Sequence, residues 1–250
     1  MSGSRPSSPS CARWSAGHSA LLAALEQALA LSGLLLRGGF RAAAEDAAPE
    51  GVGTLLLVGN AGPALWQEFE RQRPEGPDPL DRWTAATVGP IALRFGARAL
   101  YPFEGPPYWP FQRWAMRAEP VRPSPLGILI HPRHGLWHAY RAALAFAAEI
   151  PLPPREEAPD LGGECADRPC LAACPVGAFE TAGYDVGACL EHLRSAAGRD
   201  CMTAGCRARR ACPVGQQHAY PPAQAAFHMA AFRADCRTTL GTDPPTKSVA

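Results

Sequence analysis

The sequence predicts a mixed α/β (α+β) domain followed by a small cysteine-rich segment, and three observations carry that expectation. Short apolar runs bounded by glycine alternate with helical patterns as far as Ile150, the alternation that packs helices against a sheet. A proline-rich stretch from Pro151 to Gly163 (PLPPREEAPDLGG) then marks a boundary of the kind that separates domains. Beyond it, seven of the nine cysteines fall between Cys165 and Cys212. The expected organisation is a disordered tail over residues 1–17, an α/β domain over 18–155, a linker over 156–164, the cysteine segment over 165–217, and a C-terminal helix and tail over 218–250.

Residues 1–17 are rich in serine and proline, which leaves little to bury and makes Cys11 a bystander. Residues 18–36 space leucine and alanine as an amphipathic helix does, until Gly33, Gly38 and Gly39 interrupt the pattern. Thr54 to Val58 (TLLLV) reads as a buried strand between Gly53 and Gly59, and a Gly-Asn-Ala-Gly-Pro turn leads into a helix from Ala64 to Arg73. Gly59 to Gly62 lacks both the dinucleotide fingerprint and the phosphate-loop lysine, so it is a weak phosphate signal. Pro79 to Leu93 holds a second helix, and residues 97–103 and Leu126 to Ile130 suggest two more strands. Propensity alone makes the alanine-rich stretch His138 to Ile150 helical. Residues 222–234 form a last helix.

The cysteines form two copies of one pattern. The first is Cys165-x4-Cys170-x3-Cys174-Pro-Val-Gly and the second Cys201-x4-Cys206-x5-Cys212-Pro-Val-Gly, with Cys189 between them. A cysteine before proline that closes a short cysteine run is how ferredoxin-type segments hold iron–sulfur clusters. Zinc sites favour paired C-x2–4-C knuckles, which these gaps fit poorly. Disulfides need an oxidising compartment, and an odd number of cysteines suits them badly. In two-cluster ferredoxins the cysteine before proline crosses to the other cluster. That logic gathers Cys165, Cys170 and Cys212 at one cluster and Cys174, Cys189, Cys201 and Cys206 at the other. Three and four ligands suggest one [3Fe–4S] and one [4Fe–4S] cluster, a non-cysteine eighth ligand such as His192, or a single surviving cluster; Cys236 lies beyond the last predicted helix.

A formal net charge of +1 gives no electrostatic case for nucleic acid or a membrane surface. The apolar stretch at 19–36 carries Glu26 and Gln27 and no evident cleavage site, so neither a secretory signal nor a membrane span is expected. The expected setting is the cytoplasm, with a redox partner protein.

Two further features bear on the first domain. Tyr101 to Trp114 packs six aromatics among four prolines; such rings either wall a flat cofactor or plug into the core. His131 and His134 follow a strand in Ile130-His-Pro-Arg-His-Gly-Leu-Trp137, where open α/β sheets place ligands. His131 offers a hydrogen bond to a cofactor and His134 a metal ligand or proton carrier, or the pair caps a turn. His192, His218 and His228 read as surface or packing residues.

The run from Pro125 to Pro154 (PLGILIHPRHGLWHAYRAALAFAAEIPLPP) resembles the cobalamin-trafficking family of methylmalonic aciduria and homocystinuria type C, which has a His-Pro-Arg-x-Gly-Gly-Trp loop in the matching place. Leu55-Leu56-Leu57-Val58 and Asp78-Pro79-Leu80-Asp81 also look like their counterparts there. In order of parts the chain is similar to epoxyqueuosine reductases and reductive dehalogenases, in which a cobalamin-binding, nitroreductase-like domain precedes a two-cluster ferredoxin segment. The resemblance implies a nitroreductase-like fold, with His131, Pro132, Arg133 and Gly135 in the loop that approaches a cobalamin or flavin. It turns His138 to Ile150 from helix to strand. Leu136 stands where the family has its second glycine, adding bulk beside the cofactor. The acidic general acid and the helical repeats of the epoxyqueuosine enzymes have no counterpart here.

The expectation is an iron–sulfur redox protein whose clusters feed a corrinoid or flavin, and so a cobalamin- or flavin-dependent oxidoreductase. The alternatives are an electron carrier without an organic cofactor and a zinc-stabilised interaction protein.

Overall fold

The structure is a computed structural model that describes residues 20–157, 165, 167–180 and 183–239. The expected tail with Cys11 lies outside these residues, as do residues 158–164 of the expected linker.

The chain opens with helix α1 (Ala20–Ala30), which places Leu22, Leu25 and Leu29 on one buried stripe. The helix stops well short of residue 36. Gly33 takes a left-handed conformation with φ 65° and lies against the Ala64 backbone, and strand β1 (Leu35–Arg41) begins two residues later. Gly38 and Gly39 therefore lie inside a strand, where a register shift between Leu36 and Gly39 absorbs them as a bulge.

Strand β2 (Thr54–Ala61) runs three residues past its expected end. It leads into helix α2 (Ala64–Gln72), helix α3 (Pro79–Arg94) and strand β3 (Arg98–Leu100). The expected strand 97–103 is cut to three residues. Helix α4 (Phe111–Ala118) was not anticipated; it buries Phe111 and Trp114 from the aromatic stretch, whereas Tyr108 stays 64% exposed. Core plugging thus describes Tyr101, Phe111 and Trp114, but not the whole run.

Strands β4 (Arg122–Pro123) and β5 (Leu129–Ile130) pair only with each other. Strand β6 (His138–Phe146) then enters the main sheet. The sheet has order β1-β2-β6-β3, and every pairing in it is antiparallel. The fold is mixed α/β of the antiparallel, α+β kind. The strand that the resemblance implies for residues 138–150 is present over His138–Phe146: β6 is hydrogen-bonded along both edges, and burial of Ala142 to Phe146 outweighs the helix propensity of its alanines.

Successive residues of β2 point to opposite faces. Leu56 and Val58 meet α1, α2 and α3, in a core with Leu65, Phe69, Trp83 and Leu144. Leu55 and Leu57 meet α4, with Phe40, Trp114 and Leu100. Both faces are covered, which is why β2 reads as an unbroken apolar run.

The cysteine segment is built from short pieces: α5 (Pro169–Ala172), the β7 (Phe179–Glu180) and β8 (Gly183–Tyr184) hairpin, α6 (Val186–Arg194), α7 (Arg199–Ala204) and α8 (Arg207–Arg210). Helix α9 (Pro222–Thr239) packs on α7 and returns to the first core, where Phe227 lies 5.2 Å from Trp66 and 5.4 Å from Phe69. Among the described residues, no helix is long and apolar enough to cross a membrane.

Candidate functional site

Two cavities lie where the cysteine segment meets the first domain. The smaller, about 220 Å³, is lined by Cys165, Cys170 and Cys212 from the segment and by Ser124, Leu126, Ile130 and Leu136 from the domain. Cys170 and Cys212 are buried in one apolar cluster with those last three residues and Ala208. Helix α5 packs on α8, bringing the first cysteine run beside the second.

Electrostatics divide the thiols. Burial pushes the Cys170 thiol up, and Cys212 and Cys165 push it further. Burial also raises Cys212, with Cys165 adding to it. In the other group burial raises Cys189 and Cys206; Cys206, Cys174 and Cys201 act on Cys189, and Cys201 and Cys174 act on Cys206. The cysteines that act on one another fall into two groups, Cys165, Cys170 and Cys212 in one and Cys174, Cys189, Cys201 and Cys206 in the other, although Cys174 and Cys206 also pack against the apolar cluster of Cys170 and Cys212. The Ala178 N–H donates to Cys174 Sγ at 3.3 Å. All seven are free thiols. Among the described residues, no group of three or more His, Cys, Asp or Glu side chains could hold a single metal ion. A lone zinc draws its sulfurs to about 2.3 Å, whereas a cluster spreads them over several irons. His192 is half-buried on α6 with its Nε2 unpartnered.

The loop between β5 and β6 docks on the second Cys-Pro turn. A Cβ on Gly135 would lie 1.8 Å from Val214 O, and one on Gly215 would lie 2.3 Å from the His134 carbonyl carbon. His131 turns inward, and its Nδ1 accepts from the Arg133 N–H at 3.0 Å and the His134 N–H at 3.3 Å. It stacks on His134 at 4.4 Å, and His134 meets His218 edge-on at 4.7 Å. Burial, then His134 and Arg37, push His131 down to about 2. Burial, then Arg37, pushes His134 to about 3 and His138 to about 2. These imidazoles are neutral across the physiological range. Pro132 is half-buried and Arg133 is exposed, 3.4 Å from Glu156. None of His131, Pro132, Arg133 and Gly135 lines either cavity. The loop also leaves a two-stranded ribbon rather than the main sheet, so the carboxyl-end rule for open sheets does not apply to it.

The larger cavity, about 330 Å³, is lined by residues that include His138, Tyr140 and Arg141 from β6, Arg209 from α8, and Tyr220 and His228. Leu136 lines both cavities. Its carbonyl accepts bonds from Nε and Nη2 of Arg209, whose guanidinium lies 4.8 Å from the Trp137 ring and 4.7 Å from the Tyr220 ring.

Behind this cavity lies a buried network. Arg37 donates to both carboxylate oxygens of Glu119 at 2.8 Å and to Asn60 O at 2.9 Å. The Tyr140 hydroxyl donates to Glu119 Oε2 at 2.6 Å, and Arg37 lies over the Tyr140 ring. Burial works against the Arg37 charge, but Glu119 more than restores it and leaves the guanidinium above its ordinary value.

The fold has solved counterparts. An epoxyqueuosine reductase from Streptococcus thermophilus superposes with a TM-score of 0.50 at 14% identity, over 81% of this chain and 69% of that one. The C. elegans B12-trafficking protein CblC, a human MMACHC homologue, superposes with a TM-score of 0.50 at 15% identity, over 85% of this chain and 94% of that one. At these identities the likeness is one of fold. No protein-family model matches the chain, and no curated protein matches it.

Sequence reasoning missed Arg37, Glu119, Arg141, Arg209 and the place of His218 and His228. Arg37 sits between Leu36 and Gly38-Gly39, and an arginine inside an apolar strand was the available signal. Arg141 carries the same signal within Ala-Tyr-Arg-Ala-Ala. Nothing local marks Arg209 among the arginines of α8.

Proposed function

We propose that the chain is an iron–sulfur redox protein whose cysteine segment, ferredoxin-like in kind, holds one or two clusters beside a nitroreductase-like domain that carries a corrinoid or a flavin. The observation that carries this reading is the grouping of the thiols. Cys165, Cys170 and Cys212 line one cavity together, while Cys174 acts on the thiols of Cys189 and Cys206. Such crossing of the cysteine before proline is the habit of two-cluster ferredoxins. The group of four suits [4Fe–4S] and the group of three suits [3Fe–4S], or a cluster completed by another ligand. Fold likeness to epoxyqueuosine reductase and CblC supports a redox or cobalamin-related role for the first domain.

When bound, clusters supply one-electron transfer, and a corrinoid or flavin supplies the chemistry on a substrate. The chain's own residues set the conditions. Leu126, Ile130 and Leu136 keep water from Cys170 and Cys212, and the Ala178 N–H holds the Cys174 sulfur in place. On this reading the protein works in the cytoplasm with a partner protein as electron donor, and free thiols suit such a reducing compartment.

A second reading, a cluster carrier without an organic cofactor, is favoured by the closed His-Pro loop. Val214 fills the open side of Gly135, and Leu136 is buried where the resembling family has glycine.

Anaerobic purification with iron, sulfide, zinc and organic cofactor counted per chain, alongside EPR before and after dithionite, tests both. Roughly seven or eight irons with matching sulfide establish two clusters. A stoichiometric corrinoid or flavin selects the first reading, and clusters alone select the second. Zinc without sulfide overturns both and returns a zinc-stabilised interaction protein.

A further inference from the structure

The lining of the larger cavity is cationic. Its polar residues are Gln112, His138, Tyr140, Arg141, Arg209, Tyr220 and His228, and no carboxylate is among them. His138 is neutral, and burial, then Arg141 and Arg209, hold His228 neutral at about 3. Burial also keeps Tyr140 a phenol. Two guanidinium charges remain.

Neither is well paired. Arg141 Nη1 stands 3.8 Å from Asp81 Oδ1, beyond hydrogen-bond reach, and Asp81 belongs to α3 outside the lining. Arg141 Nε is buried without a hydrogen-bond partner. Arg209 spends Nε and Nη2 on the neutral Leu136 carbonyl and faces the rings of Trp137 and Tyr220. Among the described residues, no carboxylate lies within ion-pair distance of Arg209. Guanidiniums taken out of water need a counter-charge, and the fork of donors on each matches a carboxylate or a phosphate.

We propose that this cavity binds a small molecule bearing a carboxylate or phosphate group, which sits between Arg141 and Arg209. Ile128, Leu129, Leu136, Tyr140 and Tyr220 form apolar and aromatic walls for the rest of the ligand. A volume of about 330 Å³ is at the small end of ligand pockets, so the body is compact. Arg141 comes from the sheet and Arg209 from the cysteine segment, so the site exists only while the two are docked. The inference does not rest on iron–sulfur binding.

Full-length protein, purified anaerobically, is titrated calorimetrically at low ionic strength with inorganic phosphate and, separately, with benzoate. One or both should bind one per chain, and the tighter of the two identifies the oxyanion. Arg141→Gln and Arg209→Gln should each weaken that binding roughly tenfold or more, and Arg141→Lys should retain more affinity than Arg141→Gln. If Arg141→Gln fails to fold, Arg209→Gln and Arg141→Lys carry the comparison. Failure of both probes to bind, or binding indifferent to the substitutions, overturns the proposal. Iron counted on the same samples separates the two proposals: iron without anion binding sinks this one alone, and anion binding without iron sinks only the cluster reading.

Discussion

Gly135 and Gly215 hold the two halves of the molecule backbone to backbone: a Cβ on the first would lie 1.8 Å from Val214 O, and one on the second 2.3 Å from the His134 carbonyl carbon. Neither position admits a side chain without parting the His-Pro loop from the Cys-Pro turn. That contact brings three cysteines and Arg209 up to residues of the first domain.

Gly135→Ala should therefore cost more than its φ of 55° alone demands. A left-handed alanine costs roughly 1–2 kcal/mol, and the overlap with Val214 should bring the loss to about 3 kcal/mol or more. Gly51→Ala is the control, since Gly51 has φ 77° and nothing within 4 Å of its Cβ position. Urea unfolding of both variants checks this; equal losses would mean that the dock contributes nothing.

Serine substitutions should separate the two thiol groups. Cys170→Ser should remove the iron and the EPR signal of one cluster and Cys189→Ser those of the other, each leaving roughly half of the iron. Cys174→Ser and Cys212→Ser should follow Cys189 and Cys170 respectively, and Cys11→Ser should leave iron unchanged. Iron analysis with EPR decides the matter, and a Cys212 variant that behaves like Cys189→Ser would break the crossed assignment.

The neutral histidines make stability fall in mild acid. His131 and His138 are held at about 2 in the folded protein, below an ordinary value near 6.5 in the unfolded chain. The unfolded state therefore binds more protons below that ordinary value, and stability present above about pH 6.5 is lost as the pH falls toward the folded values. Each contributes a slope of up to about 1.4 kcal/mol per pH unit. Unfolding midpoints measured from pH 7.5 down to 5 should decline, and His138→Gln should flatten the decline by its share.

Arg37 and Glu119 are an ion pair with side chains only 2% and 13% exposed. Arg37→Met strands the carboxylate against Tyr140 and should cost about 3–5 kcal/mol, whereas Glu119→Gln added to it should recover part of the loss. Denaturant curves for the single and double variants test this. An Arg37→Met variant as stable as the parent would remove the network from the account of the fold.

Much of the first domain is legible in the residues themselves. Thr54 to Val58 reads as a buried strand, because a short apolar run bounded by glycines suits a strand covered by its neighbours. The helices after Ala64 and Pro79 follow from periodicity and from proline at the first turn. Where local pattern and propensity were not enough, a partner distant in sequence decided. Leu35 to Arg41 looks broken by its glycines, yet β2 supplies the hydrogen bonds that hold the bulge in the sheet. His138 to Phe146 carries helix formers, yet two neighbouring strands and a closed core make it central.

The same division runs through the candidate site. The residues alone establish a thiol-rich segment, seven cysteines with two runs closed by Cys-Pro-Val-Gly. It took the folded molecule to show that Gly135 is spent on Val214, that Leu136 lines both cavities, and that Arg141 and Arg209 both line the larger one. Spacing encodes contacts made along a few turns of chain. Juxtaposition of a sheet residue with one from a later helix depends on how both surfaces pack, and no local pattern records that.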